Sequence, residues 1–424
     1  MGEGPTVVVR HLTRVEGHGN IVVDVEGDQI RRCDLEIVES PRFFEVLLKD
    51  RLYDEAPRIA CRICGICSVG HATASVHALE AALGIKPGPK LGLLRRLNMA
   101  GEWLQSHVLH LCFLVAPDAF GAPSIVPLVR SQPEVVKRAL RLKRLANDVC
   151  CTVSGRHVMP ISYHAGWMGY WPAPVELEAL ARRIAEARAD LDALVEVFAG
   201  VRWPVLAREA EHVAALEDDG AYPMMGGALH TSHGRVTPPR AYREVLQEYL
   251  VEHSAAKHAR GPDGPIRVGA LARVSLAHER LHPRAREAML RLALAPGSAN
   301  PFDNVPAQLV EAVHALEEAA RAVETLLADP LPEEPAPVTR PRGGQGIGIV
   351  EVPRGTLVHD YEVGADGRII RANCLIPTAQ NLASIETDMR VFVPTLLGRS
   401  KDEVQHALEM LVRAYDPCIS CAVH

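Results

Sequence analysis

Apolar positions along the chain change period twice. Residues 5–39 read as strands: Ile21, Val22, Val23 and Val25 lead into the turn signal Glu26, Gly27, Asp28, and partial alternation resumes from Ile30 to Val38. From about residue 68 the spacing becomes three and four, which predicts helices over 72–83, 91–114 and 133–153. Further helices are expected at about 175–199, 238–258, 283–295 and 304–327. The Pro-rich run 329–337 reads as a stiff connection. Strands return over 347–352, 357–363 and 368–374, with Asp366 and Gly367 turning the last pair. A helix at about 400–415 leads to the C-terminus. The expected architecture is mainly α with small β clusters near both ends, with no internal repeat. It is read as one domain over 1–424, with N-terminal strands (about 5–39), a helical body (about 68–328) and C-terminal strands and helix (about 345–424).

Composition narrows the class. The 424 residues are 48% hydrophobic and 23% charged, as in an ordinary enzyme with a large core. A net charge of -6 and 4% aromatics offer nucleic acid neither excess positive charge nor stacking platforms. The longest apolar run, 109–119, is broken by His110, Pro117 and Asp118, so no spanning helix is expected. Residues 1–6 lack the basic start and apolar run of a signal peptide, and their loose match to a myristoylation pattern at Gly2 and Thr6 is set aside. A cytoplasmic protein is expected, either free in solution or tied to a membrane through partners. Lys137, Arg138, Arg141, Lys143 and Arg144 read as a solvated helix face. Gly343, Gly344, Gly346 and Gly348 mimic a nucleotide loop, but a strand follows them where a helix is required, and that reading is rejected.

Ten cysteines are too few for a disulfide scaffold of this size and too clustered for random use. Cys64 and Cys67 form one C-x-x-C pair, and Cys418 and Cys421 another, separated by most of the chain. Four thiolates complete a soft-ligand tetrahedral shell. Local zinc knuckles use short spacings, so the separation favours one buried site joining both chain ends. Gly65 is expected to supply the tight turn of the first pair. Cys33, Cys112, Cys150 and Cys151 fit no ligand set and read as small buried residues. Cys61 extends the first pair to a third cysteine, yet no further close cysteine follows to build an iron–sulfur cluster. His107 and His110 are either near the site or simply packed.

Arg62 to Cys67 with His71, and Asp416 to His424, resemble the two signature motifs of nickel–iron hydrogenase large subunits. The resemblance spans the chain: Arg14 to His18, Pro41 to Glu45, Val352 to Gly355 and Ile376 to Thr378 resemble the intervening blocks in order. The chain ends at the His where that family's maturation protease cuts. The block Arg42 to Glu45, the residues Val251 to Ser254 with Lys257 and His258, and Arg413 to Asp416 look most like the soluble bidirectional class of sulfhydrogenases and NAD(P)-linked enzymes.

The resemblance implies that Cys64, Cys67, Cys418 and Cys421 bind nickel, that Cys67 and Cys421 bridge to an iron carrying carbon monoxide and cyanide, and that the chain interconverts H2 with protons and electrons. Cys418 would be the first proton acceptor and Glu16 the relay. Arg354 would hang over the open metal position, with Asp118 as its partner. His71 would hydrogen-bond a bridging sulfur. Glu45, His424 and the carbonyl of Cys374 would bind magnesium, Cys374 standing where an apolar residue is usual. Pro377 and Thr378 would line the pocket of the iron's diatomic ligands. With no iron–sulfur cluster in this chain, an obligate iron–sulfur small subunit is expected, with flavin, NAD(P)-binding or ferredoxin-like subunits beyond it, besides the maturation protease and metal-insertion factors. Two other readings remain: a structural subunit with a zinc-filled or empty site, and a zinc hydrolase, which four thiolates leave without an open position.

Overall fold

The computed structural model describes residues 7–27, 29–328, 333, 335–337 and 343–424. Asp28, residues 1–6 and most of the Pro-rich run 329–337 lie outside the described residues, so the expectations for those segments stand untested. Three antiparallel strands, Val7–Val9, Gly19–Glu26 and Gln29–Ile37, form the N-terminal sheet. The helical body follows: Ser68–Leu83, Pro89–Leu109, Pro133–Ser154, Pro174–Ala199 and Asn304–Ala328. The C-terminal sheet is a meander of Gly344–Val352, Gly355–Val363 and Ile369–Leu375. The helix Lys401–Ala414, capped by Ser400 with Glu403 returning the bond, carries the chain to its end. No helix among the described residues is long and apolar enough to cross a membrane.

The glycines of 343–348 have a packing role. Strand Gly344–Val352 lies against helix Ser68–Leu83, whose N-terminus begins directly after Cys67. A Cβ at Gly346 would meet Ala78 O at 1.9 Å, and one at Gly348 would meet Ala74 O at 2.0 Å. Only a side chain of hydrogen lets strand and helix backbones approach this closely. The motif that mimicked a phosphate loop thus sets the helix that presents the first cysteine pair.

Three features differ from the sequence pattern. Residues 238–258 do not form a helix. They give a 3-10 turn, Pro239–Glu244, and a strand, Gln247–Tyr249, paired with His258–Arg260. Leu250 is 82% exposed while Tyr242, Val245 and Leu246 pack into a small second core, so the apolar spacing serves a sheet edge and not a helix face. That core includes a four-stranded sheet of Ile266–Arg267, Glu211–Leu216, Ala228–Thr231 and Val236–Thr237, whose strands are too short to register as a pattern. Helix Pro377–Leu396 was also not expected, because polar Gln380, Asn381, Ser384 and Asp388 interrupt its apolar positions; all four are buried and bonded to the neighbouring segments.

The helix from Pro89 passes into a π-helical stretch, His110–Val115, and then Ala116–Ala119. Pro117 has no N–H to give, and the wider turn absorbs the irregularity. The turn leaves His110 bonded to Gln308 and to the carbonyl of Arg413 at 2.7 Å, while His107 Nε2 meets Glu311 at 3.0 Å. Both histidines are therefore packing and network residues. Of the basic stretch, Lys137 and Arg141 are exposed and pair with Glu134 and Asp190 as read, whereas Lys143 is half-buried and donates to Gln105 at 3.0 Å, which takes it out of the solvated face.

Candidate metal centre

The loop after Ala60 brings Cys64 and Cys67 to the start of helix Ser68–Leu83. The last turn of the chain, Ile419–Ala422, brings Cys418 and Cys421 against them. Cys64 and Cys418, 354 positions apart, have sulfurs 3.4 Å from each other; Cys67 and Cys421 are at 3.5 Å, and Cys418 and Cys421 at 2.9 Å. All four are free thiols, buried, with sulfurs within 4.8 Å of one another. Gly65 is not among the positive-φ residues, so the turn of this pair does not depend on glycine's left-handed freedom as expected. A Cβ there would meet open space.

The chemistry of the donors tests whether a metal fits. Hydrogen bonds from Cys418, Cys421 and Cys67 hold the Cys64 thiol well below its ordinary range. Burial pushes Cys421 far up, and its sulfur neighbours add to that. One thiolate forms readily and the others resist, because adjacent buried anions repel. A soft divalent cation at the centre removes the conflict and lets all four ionise, so the residues fit a four-thiolate metal.

The chain ends are held together by the loop 11–18. Glu16 O accepts from Ile419 N at 3.0 Å, and its carboxylate accepts from Ser420 N at 3.0 Å, from the Ser420 hydroxyl, and from the Cys418 thiol at 3.2 Å. Gly17, with φ of +88°, makes this approach possible, since a Cβ there would lie 2.6 Å from Ile419 Cβ. Arg42, whose role the motif alone did not reveal, donates to Ile63 O at 2.6 Å and to Ser420 O, clamping one cysteine loop to the other. Thr378 Oγ1, on the first turn of helix Pro377–Leu396 beside Pro377, accepts from Cys418 N at 2.9 Å.

The expected partner of Arg354 is corrected. Its Nη2 donates to Asp416 Oδ1 at 2.7 Å, its Nε to Asp416 O at 2.7 Å and its Nη1 to Ser106 at 3.3 Å. Asp118 instead holds Arg14 at 2.5 Å and Arg413 at 2.8 Å. Asp416 stands two residues before Cys418, in left-handed conformation at φ 52°, just past Tyr415, the C-cap of helix Lys401–Ala414, whereas Asp118 lies beyond the π turn. Burial works against the charge on Arg354, but Asp416 and the nearby sulfurs raise its affinity for the proton well above the usual value.

His71 sits 3.9 Å from Cys421 Sγ through Nε2. Its Nδ1 bonds His359 at 3.0 Å, and His359 bonds the Tyr361 hydroxyl at 2.6 Å. Burial lowers His71 to about 3, so the ring is neutral. Glu102, absent from the sequence reading, caps the cysteine helix by accepting from Val69 N at 2.5 Å and Gly70 N at 2.9 Å. A little apart, Glu45 accepts from Cys374 N at 2.9 Å and approaches His424 Nε2 at 3.4 Å and Lys257 Nζ at 3.3 Å. Burial would raise the Glu45 carboxyl, but His424, the Cys374 amide and Lys257 outweigh it and bring it to about 2.

Comparison with known proteins agrees with this centre. The family model for nickel-dependent hydrogenase matches residues 42–128 and 229–424. The chain is 32% identical to sulfhydrogenase 1 subunit alpha of Pyrococcus furiosus, over 99% of this chain and 97% of that protein. It is 29% identical to the NAD-reducing hydrogenase HoxS subunit beta of Cupriavidus necator, over 99% and 94%. A crystal structure of an NAD+-reducing NiFe hydrogenase in its H2-reduced state superposes with a TM-score of 0.89 at 28% identity, covering 100% of both chains. The fold is also that of a Ni-Fe-Se hydrogenase from D. vulgaris Hildenborough, at a TM-score of 0.81. With the family model matched over residues 42–128 and 229–424 and its relatives aligned end to end, the chain belongs to the nickel-dependent hydrogenase family, as a hydrogenase large subunit with a four-cysteine metal site.

Proposed function

We propose that the chain catalyses the reversible reaction of H2 to two protons and two electrons, with Cys64, Cys67, Cys418 and Cys421 holding nickel and Cys67 and Cys421 shared with an iron that carries carbon monoxide and cyanide. The observation that carries this reading is the meeting of four buried thiols from opposite chain ends beside the carboxylate of Glu16. When bound, the metal pair supplies the polarisation that splits H2 unevenly. The protein's own groups then handle the proton. Cys418 takes it at sulfur. Glu16 accepts it across 3.2 Å and, being only partly buried, passes it outward. Arg354, fixed by Asp416, keeps a positive charge beside the sulfurs throughout. His71, neutral, orients toward Cys421.

Pro377 and Thr378 would line the diatomic ligands of the iron. Glu45, His424 and the carbonyl of Cys374 would hold magnesium, where a carboxylate and a carbonyl supply the oxygen donors that ion prefers. Electrons would leave to an iron–sulfur small subunit, and the alpha- and beta-subunit names of the relatives support a complex of several chains. The NAD-reducing names of two relatives support a partner that handles NAD, and flavin, NAD(P)-binding or ferredoxin-like subunits would complete the electron path. Ten unpaired thiols suit a reducing, cytoplasmic setting, and the chain is read as one large-subunit unit.

Infrared spectroscopy of the purified enzyme tests the reading. Sharp bands from metal-bound carbon monoxide and cyanide, with nickel and iron by elemental analysis, are expected. Zinc without such bands would replace it with a structural metal site.

A further inference from the structure

The residues Val251 to Ser254, with Lys257 and His258, have no part in the four-thiolate centre. The fold folds this segment over helix Pro377–Leu396. There His253 Nε2 lies 2.7 Å from Glu386 Oε1, and His258 Nε2 lies 3.8 Å from Glu386 Oε2. The two rings stand nearly perpendicular, with centroids 5.7 Å apart. The three ligand atoms fall within 4.8 Å of one another.

Two details distinguish this cluster from an ordinary ion pair. His258 is fully buried, and neither of its ring nitrogens has a hydrogen-bond partner. A buried imidazole whose nitrogens make no hydrogen bond, with the Glu386 carboxylate still 3.8 Å away, is costly and calls for an explanation. Glu386 is anchored at Oε1 by Leu35 N at 3.1 Å, which fixes the carboxylate and leaves Oε2 turned to His258. Ligands at about 2.0–2.1 Å around a four-coordinate ion stand roughly 3.4 Å apart, a spacing these atoms, now 2.7 to 4.8 Å from one another, reach with side-chain rotations that move them by about an ångström. His253 and Glu386 keep 22% and 15% side-chain exposure, so water can fill the remaining position and an ion can enter.

We propose that His253, His258 and Glu386 form a second metal site, for a borderline divalent ion of the zinc type. Two imidazoles and one carboxylate suit such an ion, whereas magnesium prefers an all-oxygen shell. The site is separate from the four cysteines and from the Glu45 and His424 pair, although Lys257 joins the neighbourhoods by pairing with Glu45.

Cobalt(II) is the probe. The assembled enzyme, with its nickel and iron in place, is titrated with Co2+ and then with Zn2+ as competitor. One added equivalent is expected, with visible absorption typical of low coordination by nitrogen and oxygen, displaced by zinc. His253→Gln and Glu386→Gln should each weaken that uptake at least tenfold while nickel and iron content stay unchanged. His253→Gln alters a partly exposed side chain, so it keeps the test valid if Glu386→Gln misfolds. Absence of an added equivalent in the native enzyme would overturn the site, and so would uptake that persists undiminished in His253→Gln.

Discussion

Arg354 and Asp416 form a buried two-point contact, side chain to carboxylate and side chain to backbone carbonyl, at 2.7 Å each. The acid that fixes the guanidinium is therefore part of the same short segment that carries Cys418. Any shift of the cysteine loop moves the arginine with it.

This pairing predicts a separation between two aspartates. Removing one partner of a buried pair strands the other charge and costs about 3–5 kcal/mol. Asp416→Ala and Asp118→Ala should both lower the denaturant midpoint, with unfolding free energies reduced by amounts in that range. Only Asp416→Ala, however, should also release Arg354 and cut hydrogen uptake in the fraction that remains folded. Equal specific activity in the two folded variants would contradict the assignment of Asp416 to Arg354.

Glu16 accepts from the Cys418 thiol and twice from Ser420. Glu16→Gln keeps the shape and most of the bonds but cannot take a proton at ordinary pH. H2/D+ exchange should fall by at least a hundredfold, with nickel and iron retained by elemental analysis. An unchanged exchange rate would remove Glu16 from the relay.

Gly346→Ala places a Cβ 1.9 Å from the Ala78 carbonyl, a backbone atom that cannot swing away. The strand must lift from the helix that follows Cys67. A loss of about 3 kcal/mol, the upper end of the usual overpacking range, is expected in chemical denaturation. Because the displaced helix begins directly after a cysteine ligand, nickel occupancy should fall with it. A Gly84→Ala control, where a Cβ meets open space, should leave nickel in place despite its own strain at φ +68°.

Two buried histidines make the fold acid-sensitive. Burial lowers His212 to about 3, helped by Arg267 and Arg208, and lowers His314 to about 4. His314 Nδ1 accepts from His282 N at 3.1 Å, which requires the neutral ring. Unfolded chains bind protons at these residues near pH 6.5 and the folded protein does not. Their contribution is present above pH 6.5 and is lost as pH falls toward the folded values. Between pH 6.5 and 5 each would forfeit about 2 kcal/mol. Melting temperature followed from pH 8 to pH 5 should decline over that window, and His314→Gln should shallow the decline. A flat profile would contradict the neutral-ring assignment.

The thiols outside the centre should divide by burial, Cys151 departing from the buried position expected of it. Burial pushes Cys33 and Cys112 up to about 12. Cys151 is the one cysteine of the ten that is only partly buried. Iodoacetamide applied to the native enzyme, followed by peptide mass analysis, should label Cys151 and spare Cys33 and Cys112.

The ligand chemistry was legible in the sequence, because soft thiolates at short spacing state their purpose through residue type alone. Cys64, Cys67, Cys418 and Cys421 converge as the pattern required. Most long helices were equally legible, since an amphipathic period over fifteen or more residues is a local property; helix Pro377–Leu396, whose period buried polar residues interrupt, was not. Tertiary structure decided the rest. Asp118 and Asp416 offer the same carboxylate to any buried arginine, and only the positions of the π turn and of the left-handed residue before Pro417 assign each to its partner. The strands near 211–267 are too short to write a period, and the apolar spacing of 238–258 suits helix and sheet alike until neighbouring strands choose between them. His253, His258 and Glu386 are separated by as many as 133 positions and carry no common motif. Their meeting depends on how a helix packs against a strand pair, which no local preference specifies.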